Sequence, residues 1–393
     1  MMFSANPPIE RNSARLPGLD LLRAFAVVWV MLYHVTSYGP SLPEIIEFGY
    51  MAVDLFFVLS GFLIGEQLLS PYAAGSEPHW WQFYLRRAFR ILPAYLVMVM
   101  LYFAVPAIRE SEGIQPLWQF LTFTQNMFAD YFRARAFSHA WSLCIEEHFY
   151  LMLPPIVWLL ARKPSATRIA MVAIVLLLGG MALRAWLWQH GVAPLLHIAS
   201  GEGDFFTRYI EKIYNPTFTR LDGLLAGVLL AVVKVFRPGW WTWAMVRSRW
   251  FLAGGLIGVA ATMCMPSPGY ASAVSSFPLL SASFACIVLA SSSPKHWAGL
   301  VPGVFPIASM AFSLYLAHKP VYQLIHSHFD AQLQDANLLA LCVYGGGALA
   351  AGSLLYLTVE RPGVRLCAFI LDRRRRRLGG DADGSFVADA RVP

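Results

Sequence analysis

Ten apolar runs, each long enough to cross a lipid bilayer as a helix, recur along this sequence of 393 residues. A transmembrane helix needs about 20 mostly apolar residues, and an unpaired backbone group is too costly to leave in lipid. Charged residues make up only 13% of the chain, which is too few for the surface of a soluble protein. The sequence therefore predicts an all-α integral membrane protein with about ten transmembrane helices. The predicted spans lie near residues 19–38, 50–69, 90–107, 146–161, 168–187, 218–236, 250–266, 275–292, 305–325 and 337–357.

Basic residues are distributed unevenly between the two sides of these spans. Arg86, Arg87 and Arg90 come before or at the start of the third span, and the run Arg373–Arg377 follows the tenth. Since cytoplasmic segments carry the excess of Lys and Arg, both termini are predicted to be cytoplasmic. The net charge of +7 reflects this topology, so no nucleic-acid partner is expected. The arginine run would attract anionic lipid.

The chain divides into three predicted parts. Residues 1–18 form a polar cytoplasmic lead, residues 19–362 form the transmembrane domain, and residues 363–393 form a basic cytoplasmic tail. The composition of the tail predicts that it lacks regular structure. The five cysteines are scattered without CxxC spacing, so neither a disulfide framework nor a metal site is expected.

Three ionisable residues interrupt the first apolar run: Asp20, Arg23 and His34. Arg23 and His34 are eleven positions apart, which on an α-helix is about three turns, or roughly 16 Å of rise. Both side chains therefore lie on one face, which has to point at protein, water or ligand. The alternative is that Arg23 only reaches the lipid headgroups and His34 only caps the far end of the helix.

Two further charged groups suggest partners for these residues. Asp54 lies one turn into the second span, where His34 is the natural partner for a salt bridge or an orienting contact. The alternative is an aspartate that only hydrogen-bonds backbone groups at a helix contact. Arg87 and Arg90 are one turn apart on one face and suit a phosphate or diphosphate, although arginines at such a position also set topology and contact lipid.

Other polar residues near the spans are candidates for lining a cavity. Glu146 stands at the mouth of the fourth span, one turn after Trp141 and Ser142, and we expect it to face the interior of the bundle. The remaining cavity candidates are Ser60 in the second span, Trp141 and Ser142 before the fourth, Arg220 and Asp222 in the sixth, and Tyr315 and His318 in the ninth. Tyr315 and His318 could line the cavity or could make only helix–helix hydrogen bonds.

Taken together, seven stretches of this sequence resemble the acyltransferase-3 family, in the order that the family shows. The resemblance runs from about Leu16 to Pro362 and makes residues 19–362 an acyltransferase domain. It rests on Arg23-x10-His34, GYMAVDLFFVLSGFL, RRAFRILPAY, HAWSLCIEEHFYLMLP, RLDGLLAG, SLYLAHKPV and VERP. The family consists of polytopic, chiefly bacterial membrane enzymes that move acyl groups, commonly acetyl, from coenzyme A to hydroxyls of sugars, glycans or small metabolites.

The resemblance also implies roles for particular residues. His34 matches the family's essential histidine and Arg23 its partner, while Arg87 and Arg90 match the arginine pair assigned to acyl-CoA. Glu146 matches the recurrent glutamate of the WSL-x-x-E stretch. The sequence departs from the pattern at His148, where many relatives have glutamine. From this sequence we also expect no extracytoplasmic hydrolase-like domain of the kind that some longer members carry.

The expected function is therefore a membrane O-acyltransferase of the bacterial cytoplasmic (inner) membrane. Acyl-CoA, most simply acetyl-CoA, would be the donor, and a sugar, glycan or small hydroxylated molecule the acceptor, with no metal expected. His34 would act as the base, or would transiently carry the acyl group, with Asp54 or Glu146 fixing its tautomer. A transporter or flippase, or a non-catalytic acyl-CoA or lipid sensor, is the alternative. Transporters and flippases also have polar residues within many spans, but transporters often show paired repeats, which are not found in this sequence.

Overall fold

The computed structural model of the protein describes residues 16–162, 165–197, 202–293, 296–333 and 337–378. Within these ranges the chain is helical and contains no β-strand, which confirms the all-α prediction. The α-helices are α1 (Pro17–Val35), α2 (Ala52–Ala73), α3 (Trp80–Ala104), α4 (Leu117–Leu121), α5 (Trp141–Arg162), α6 (Ala166–Leu187), α7 (Glu202–Tyr209), α8 (Asp222–Phe236), α9 (Pro238–Val246), α10 (Ser248–Met263), α11 (Tyr270–Ala290), α12 (Val304–Leu333), α13 (Asn337–Leu355) and α14 (Arg361–Leu378).

Seven helical segments of the described chain are long and apolar enough to cross a membrane. They contain α1, α2, α3, α5, α6, α11 and the continuous stretch from α13 into α14. An eighth results if α8 and α9, which meet at a bend of 108°, count as one span. Each of the ten predicted runs falls largely within a helix, but α10 has only 16 residues, fewer than a span usually needs. Ten spans and two cytoplasmic termini therefore stay predictions; residues 1–15 and 379–393 lie outside the described ranges.

The third span differs from its predicted limits. The apolar run was expected to begin near residue 90, whereas helix α3 begins at Trp80. Hydropathy detects only the apolar part of a helix. Helix α3 also includes the polar residues that precede the apolar run, so it begins earlier than predicted. Arg86, Arg87 and Arg90 consequently all lie on the helix, where their relative directions are fixed.

The basic tail also differs from the prediction. Residues from 363 onward were expected to lack regular structure, but α14 continues as a helix to Leu378. Its first turn packs closely on α3, because Gly363 lies against the backbone of Phe89. Just before α14, the buried carboxylate of Glu360 accepts a hydrogen bond of 2.5 Å from Ser313 of α12. These contacts hold the start of α14 against the helical bundle.

Helices α2 and α8 pack closely against each other. Gly61 of α2 lies against the backbone of Leu224, and Gly227 of α8 lies against the backbone of Val58 and Phe62. Gly65 and Gly223 complete two motifs of the form GxxxG, one on each helix. Glycines spaced four apart let helix backbones approach each other without intervening side chains.

Helix α1 packs against both α2 and α12. Its buried residues include Ala26, Val27 and Val30, while Arg23 and His34 are only partly buried. The helix is uninterrupted between Arg23 and His34, so it holds these two side chains at opposite ends of one rigid element. The functional residues described below are arranged around this helix.

Candidate active site

Three imidazole rings from distant parts of the chain meet at the C-terminal end of α1. His34 is on α1, His318 is on α12, and His139 belongs to the 3₁₀ turn just before α5. His34 Nδ1 lies 2.8 Å from His318 Nε2, and their rings stack with centroids 5.0 Å apart. The His139 centroid lies 5.1 Å from that of His318 and 6.5 Å from that of His34. His318 and His139 are buried, whereas His34 is half-buried.

The hydrogen bonds of this cluster assign the tautomer of His34. His318 Nδ1 lies 3.1 Å from the carbonyl oxygen of Leu314, which can only accept, so Nδ1 carries the proton. In the neutral ring, Nε2 of His318 is then an acceptor, and His34 Nδ1–H donates to it. His34 is left with an unprotonated Nε2. This nitrogen can act as a base or as a nucleophile.

The predicted contact between Asp54 and His34 is wrong. Both carboxylate oxygens of Asp54 accept hydrogen bonds of 2.9 Å from Nη2 of Arg220, which follows the 3₁₀ turn before α8. Arg220 Nη1 also donates to the carbonyl oxygen of Tyr214. Both members of the ion pair are buried. A buried carboxylate requires a charged or hydrogen-bonding partner, and Arg220 is that partner. His318, rather than a carboxylate, orients His34.

Aromatic rings surround the Arg220 guanidinium. The centroid of Phe277 is 4.1 Å from its central carbon, that of Tyr214 is 4.4 Å away, and that of Trp141 is 5.2 Å away. The predicted cavity residue Trp141 is thus part of the wall around this ion pair, and its ring also packs on Tyr214. Cation–π contacts of this kind stabilise a buried guanidinium.

A second buried ion pair lies next to the first. Arg184 of α6 donates to both carboxylate oxygens of Asp222, at 2.7 and 3.1 Å. It also donates to the carbonyl oxygens of Thr219 and Val274. Asp222, expected as a cavity residue, therefore joins α6 to the start of α8.

Both carboxylate oxygens of Glu146 accept hydrogen bonds from neighbouring side chains. Its Oε2 accepts a hydrogen bond of 2.6 Å from Tyr150, and its Oε1 accepts one of 3.2 Å from Ser60. Ser60, Glu146 and Tyr150 thus connect α2 to α5. Glu146 also interacts electrostatically with Arg87. Glu146 was predicted to fix the tautomer of His34, but His318 is the residue that contacts Nδ1 of His34.

The three arginines predicted to bind the donor are brought together at the N-terminal side of α1. Arg23 is close enough to Arg90 and Arg87 of α3 for their positive charges to act on it. Arg87 lies 5.0 Å over the ring of Tyr150, and Arg23 is 3.7 Å from Asp20. All three guanidinium side chains are partly accessible, unlike the buried Arg184 and Arg220. Such a group can bind a diphosphate through several charge-assisted hydrogen bonds.

Ser142 and Tyr315 connect α5 and α12 near the histidines. The Tyr315 hydroxyl donates to the carbonyl oxygen of His139 at 2.7 Å, so Ser142 donates to Tyr315, also at 2.7 Å. These are helix–helix hydrogen bonds, one of the two alternatives that the sequence left open. Tyr315 is partly accessible and its ring lies 5.8 Å from that of His318.

The groups that surround His139 were not predicted from the sequence. Glu110, from the loop after α3, lies 3.0 Å from Lys319 and 3.8 Å from His139, and it accepts a hydrogen bond from the Phe137 amide. Burial alone would raise the pKa of Glu110, but the charge of Lys319 and the contact with His139 hold it well below the usual value. The only signals for this cluster in the sequence are His139, in the HAWSL stretch, and Lys319, which directly follows His318. Within the described chain, no group of His, Cys, Asp and Glu side chains is placed to hold a metal ion.

Comparison with known proteins identifies the family of the chain. The family model described as an acyltransferase domain, that of the acyltransferase-3 family, matches residues 16–357. O-acetyltransferase OatA of Staphylococcus aureus (strain NCTC 8325 / PS 47) is 30% identical over 234 residues, which are 56% of this chain and 34% of that protein. "Putative O-acetyltransferase SACOL0978" of Staphylococcus aureus (strain COL) is 26% identical over 364 residues, which are 81% of this chain and 52% of that protein.

The chain thus spans about a third of the length of the first relative and about half that of the second. No solved structure matches it. The family match, which covers most of the chain, confirms the resemblance inferred from the motifs. The chain belongs to the acyltransferase-3 family, and its membrane-spanning helices form the acyltransferase domain of that family.

Proposed function

We propose that the protein is a membrane O-acyltransferase that uses acyl-CoA, most simply acetyl-CoA, to acylate a hydroxyl of a sugar or glycan. The observation that carries this proposal is the arrangement along α1. An accessible group of three arginines lies toward its N-terminal end, and a histidine with an unprotonated Nε2 lies toward its C-terminal end. The names of the two S. aureus relatives support acetyl as the acyl group.

The separation of the two ends suits coenzyme A. The rise between Arg23 and His34 is roughly 16 Å, comparable to the length of an extended pantetheine arm. With the diphosphate at Arg23, Arg87 and Arg90, the thioester would reach His34. With the predicted orientation, the nucleotide would stay on the cytoplasmic side of the inner membrane while the acyl group reaches the outer side.

The chemistry at His34 follows from its tautomer. His34 Nε2 takes the proton of the acceptor hydroxyl as the oxygen attacks the thioester carbonyl carbon. The carbon–sulfur bond then breaks, and the departing sulfur takes the proton from Nε2. His318 stabilises the transient imidazolium by accepting the hydrogen bond from Nδ1. The same lone pair of Nε2 would be the nucleophile in a two-step route through acyl-histidine.

The proposal is tested by producing the protein in a bacterial strain that lacks its own related acyltransferases. Mass spectrometry of the cell-envelope glycans is expected to show O-acetylated sugars with the wild-type protein and none with His34→Ala. Purified protein in liposomes should transfer label from radioactive acetyl-CoA to the same glycans. Movement of unmodified glycan across the membrane without acylation would show a flippase, and equal acylation by folded His34→Ala protein would overturn the role of His34.

A further inference from the structure

A cavity of about 150 Å³ lies outside the group of arginines, between the end of α2 and the end of α5. It is lined by Tyr72, Glu77, Trp158, Ala161 and Arg162. An aromatic plane, a cation, a carboxylate and a hydroxyl thus share a small space. None of these residues takes part in the chemistry proposed at His34.

The cavity combines a cation beside an aromatic ring with a buried hydroxyl. The Arg162 guanidinium lies 3.7 Å from the centroid of the Trp158 ring and is itself exposed. The Tyr72 hydroxyl is buried, and no hydrogen-bond partner for it is found among the described residues. A buried hydroxyl without a partner is costly, so a ligand that supplies one would be favoured.

The cavity lies at a suitable distance from the arginines. Arg87 is over the ring of Tyr150 on α5, and Trp158 is eight residues further along the same helix. Eight residues correspond to a rise of about 12 Å, comparable to the span of an adenosine diphosphate. The direction is away from the histidine end of the site, because α5 begins beside His139 and continues past Tyr150 toward Arg162.

We propose that this cavity binds the adenosine 3′-phosphate portion of acyl-CoA, an inference that rests on the proposed acyl-CoA donor. Adenine stacks beside Trp158, and Arg162 binds the 3′-phosphate. The Tyr72 hydroxyl donates to a ring nitrogen of the adenine, and the Glu77 carboxylate accepts from its exocyclic amino group. The cavity would thereby distinguish coenzyme A from donors that carry the same thioester arm without the nucleotide.

A tryptophan and an arginine at a helix end are also common anchors at a membrane surface. The chain provides a matched example in Trp243 and Arg247, which have the same spacing and a guanidinium 4.5 Å from the ring centroid. That pair does not line the cavity. Anchoring at a membrane surface does not explain why the buried Tyr72 hydroxyl has no hydrogen-bond partner among the described residues, whereas a bound nucleotide would supply one.

The test measures binding of coenzyme A, 3′-dephospho-CoA and 4′-phosphopantetheine to purified full-length protein by calorimetry. Wild-type protein should bind coenzyme A about tenfold or more tightly than 3′-dephospho-CoA, as expected for a charge-assisted phosphate contact. Arg162→Gln should lose this preference, and Arg247→Gln should keep it. Trp158→Leu should weaken both nucleotide ligands and leave 4′-phosphopantetheine unchanged.

The outcomes separate this inference from the proposed function. If wild-type protein binds coenzyme A but Arg162→Gln retains its preference for the 3′-phosphate, the adenosine site is overturned and the donor assignment stands. If wild-type protein binds none of the three ligands, both are overturned. Thermal unfolding of each variant provides the folding control, and exposed Arg162 should be replaceable without loss of stability.

Discussion

Nδ1 of His34 lies 2.8 Å from Nε2 of His318, although 284 residues separate the two along the chain. The carbonyl oxygen of Leu314 fixes the tautomer of His318, and His318 in turn fixes that of His34. A backbone group that cannot change its own protonation thus determines which nitrogen of His34 is available for chemistry. This makes His318 a positioning residue for the proposed reaction.

Replacing His318 distinguishes this role from simple packing. His318→Leu removes the acceptor for His34 Nδ1–H, and we expect the transfer rate to fall about a hundredfold, still less than with His34→Ala. His318→Gln keeps an amide oxygen near the position of Nε2 and should recover part of the rate. The measurement is the initial rate of acyl transfer as a function of pH. A Leu variant with the rate and pH profile of the wild type would show that His318 only fills space.

The arginine group predicts a selective loss of donor binding. Replacing Arg87 and Arg90 by Ala removes two charge-assisted contacts worth about 1.5–3 kcal/mol each, so affinity for coenzyme A should fall roughly a hundredfold or more. Lys at both positions should restore only part of it, because the planar fork is lost. Exposed Arg86→Ala provides the matched control on the same helix. Calorimetry decides: unchanged affinity in the double Ala variant would refute the phosphate assignment.

Asp54 was expected to assist His34, but its contacts indicate a structural role. Asp54→Asn leaves Arg220 buried without its counter-charge, and should lower the free energy of unfolding by about 3–5 kcal/mol. The double variant Asp54→Leu, Arg220→Met should be more stable than Asp54→Asn, since no unpaired charge remains. Asp372→Asn, which breaks the exposed pair with Arg376, should change stability by less than about 1 kcal/mol. Thermal unfolding measures all three; an Asn variant that is stable yet inactive would support catalysis instead.

The interface between α2 and α8 should be intolerant of even one methyl group. A Cβ at Gly227 would overlap the backbone of Val58 and Phe62, so Gly227→Ala should destabilise the protein by about 1–3 kcal/mol. Gly179→Ala in α6 is the control, because its added methyl group meets open space, and its unfolding temperature should be unchanged or slightly raised. Equal behaviour of the two variants would contradict the close packing.

The sequence predicted the helical class and most spans because apolar runs respond directly to lipid. It also indicated the arginine group, since Arg87 and Arg90 are neighbours on one helix turn and Arg23 shares a helix with His34. It failed where partners lie on different helices. Asp54 pairs with Arg220 across 166 residues, and hydropathy contains no information about which helices are adjacent in the bundle. The assignment of Asp54 to His34 followed from their similar predicted depth, which is not sufficient to establish contact.

An uninterrupted helix cannot stretch, and this has a consequence for the choice of donor. With Arg23 and His34 on one such helix, the interval between the anchored phosphates and the reacting carbonyl is set by the peptide backbone itself. Helix α1 would therefore select donors by the distance between their phosphates and their thioester carbonyl. A short thioester such as acetyl-cysteamine could occupy the histidine end alone, without the binding energy of the arginine end, and should be a poor substrate however reactive its acyl group.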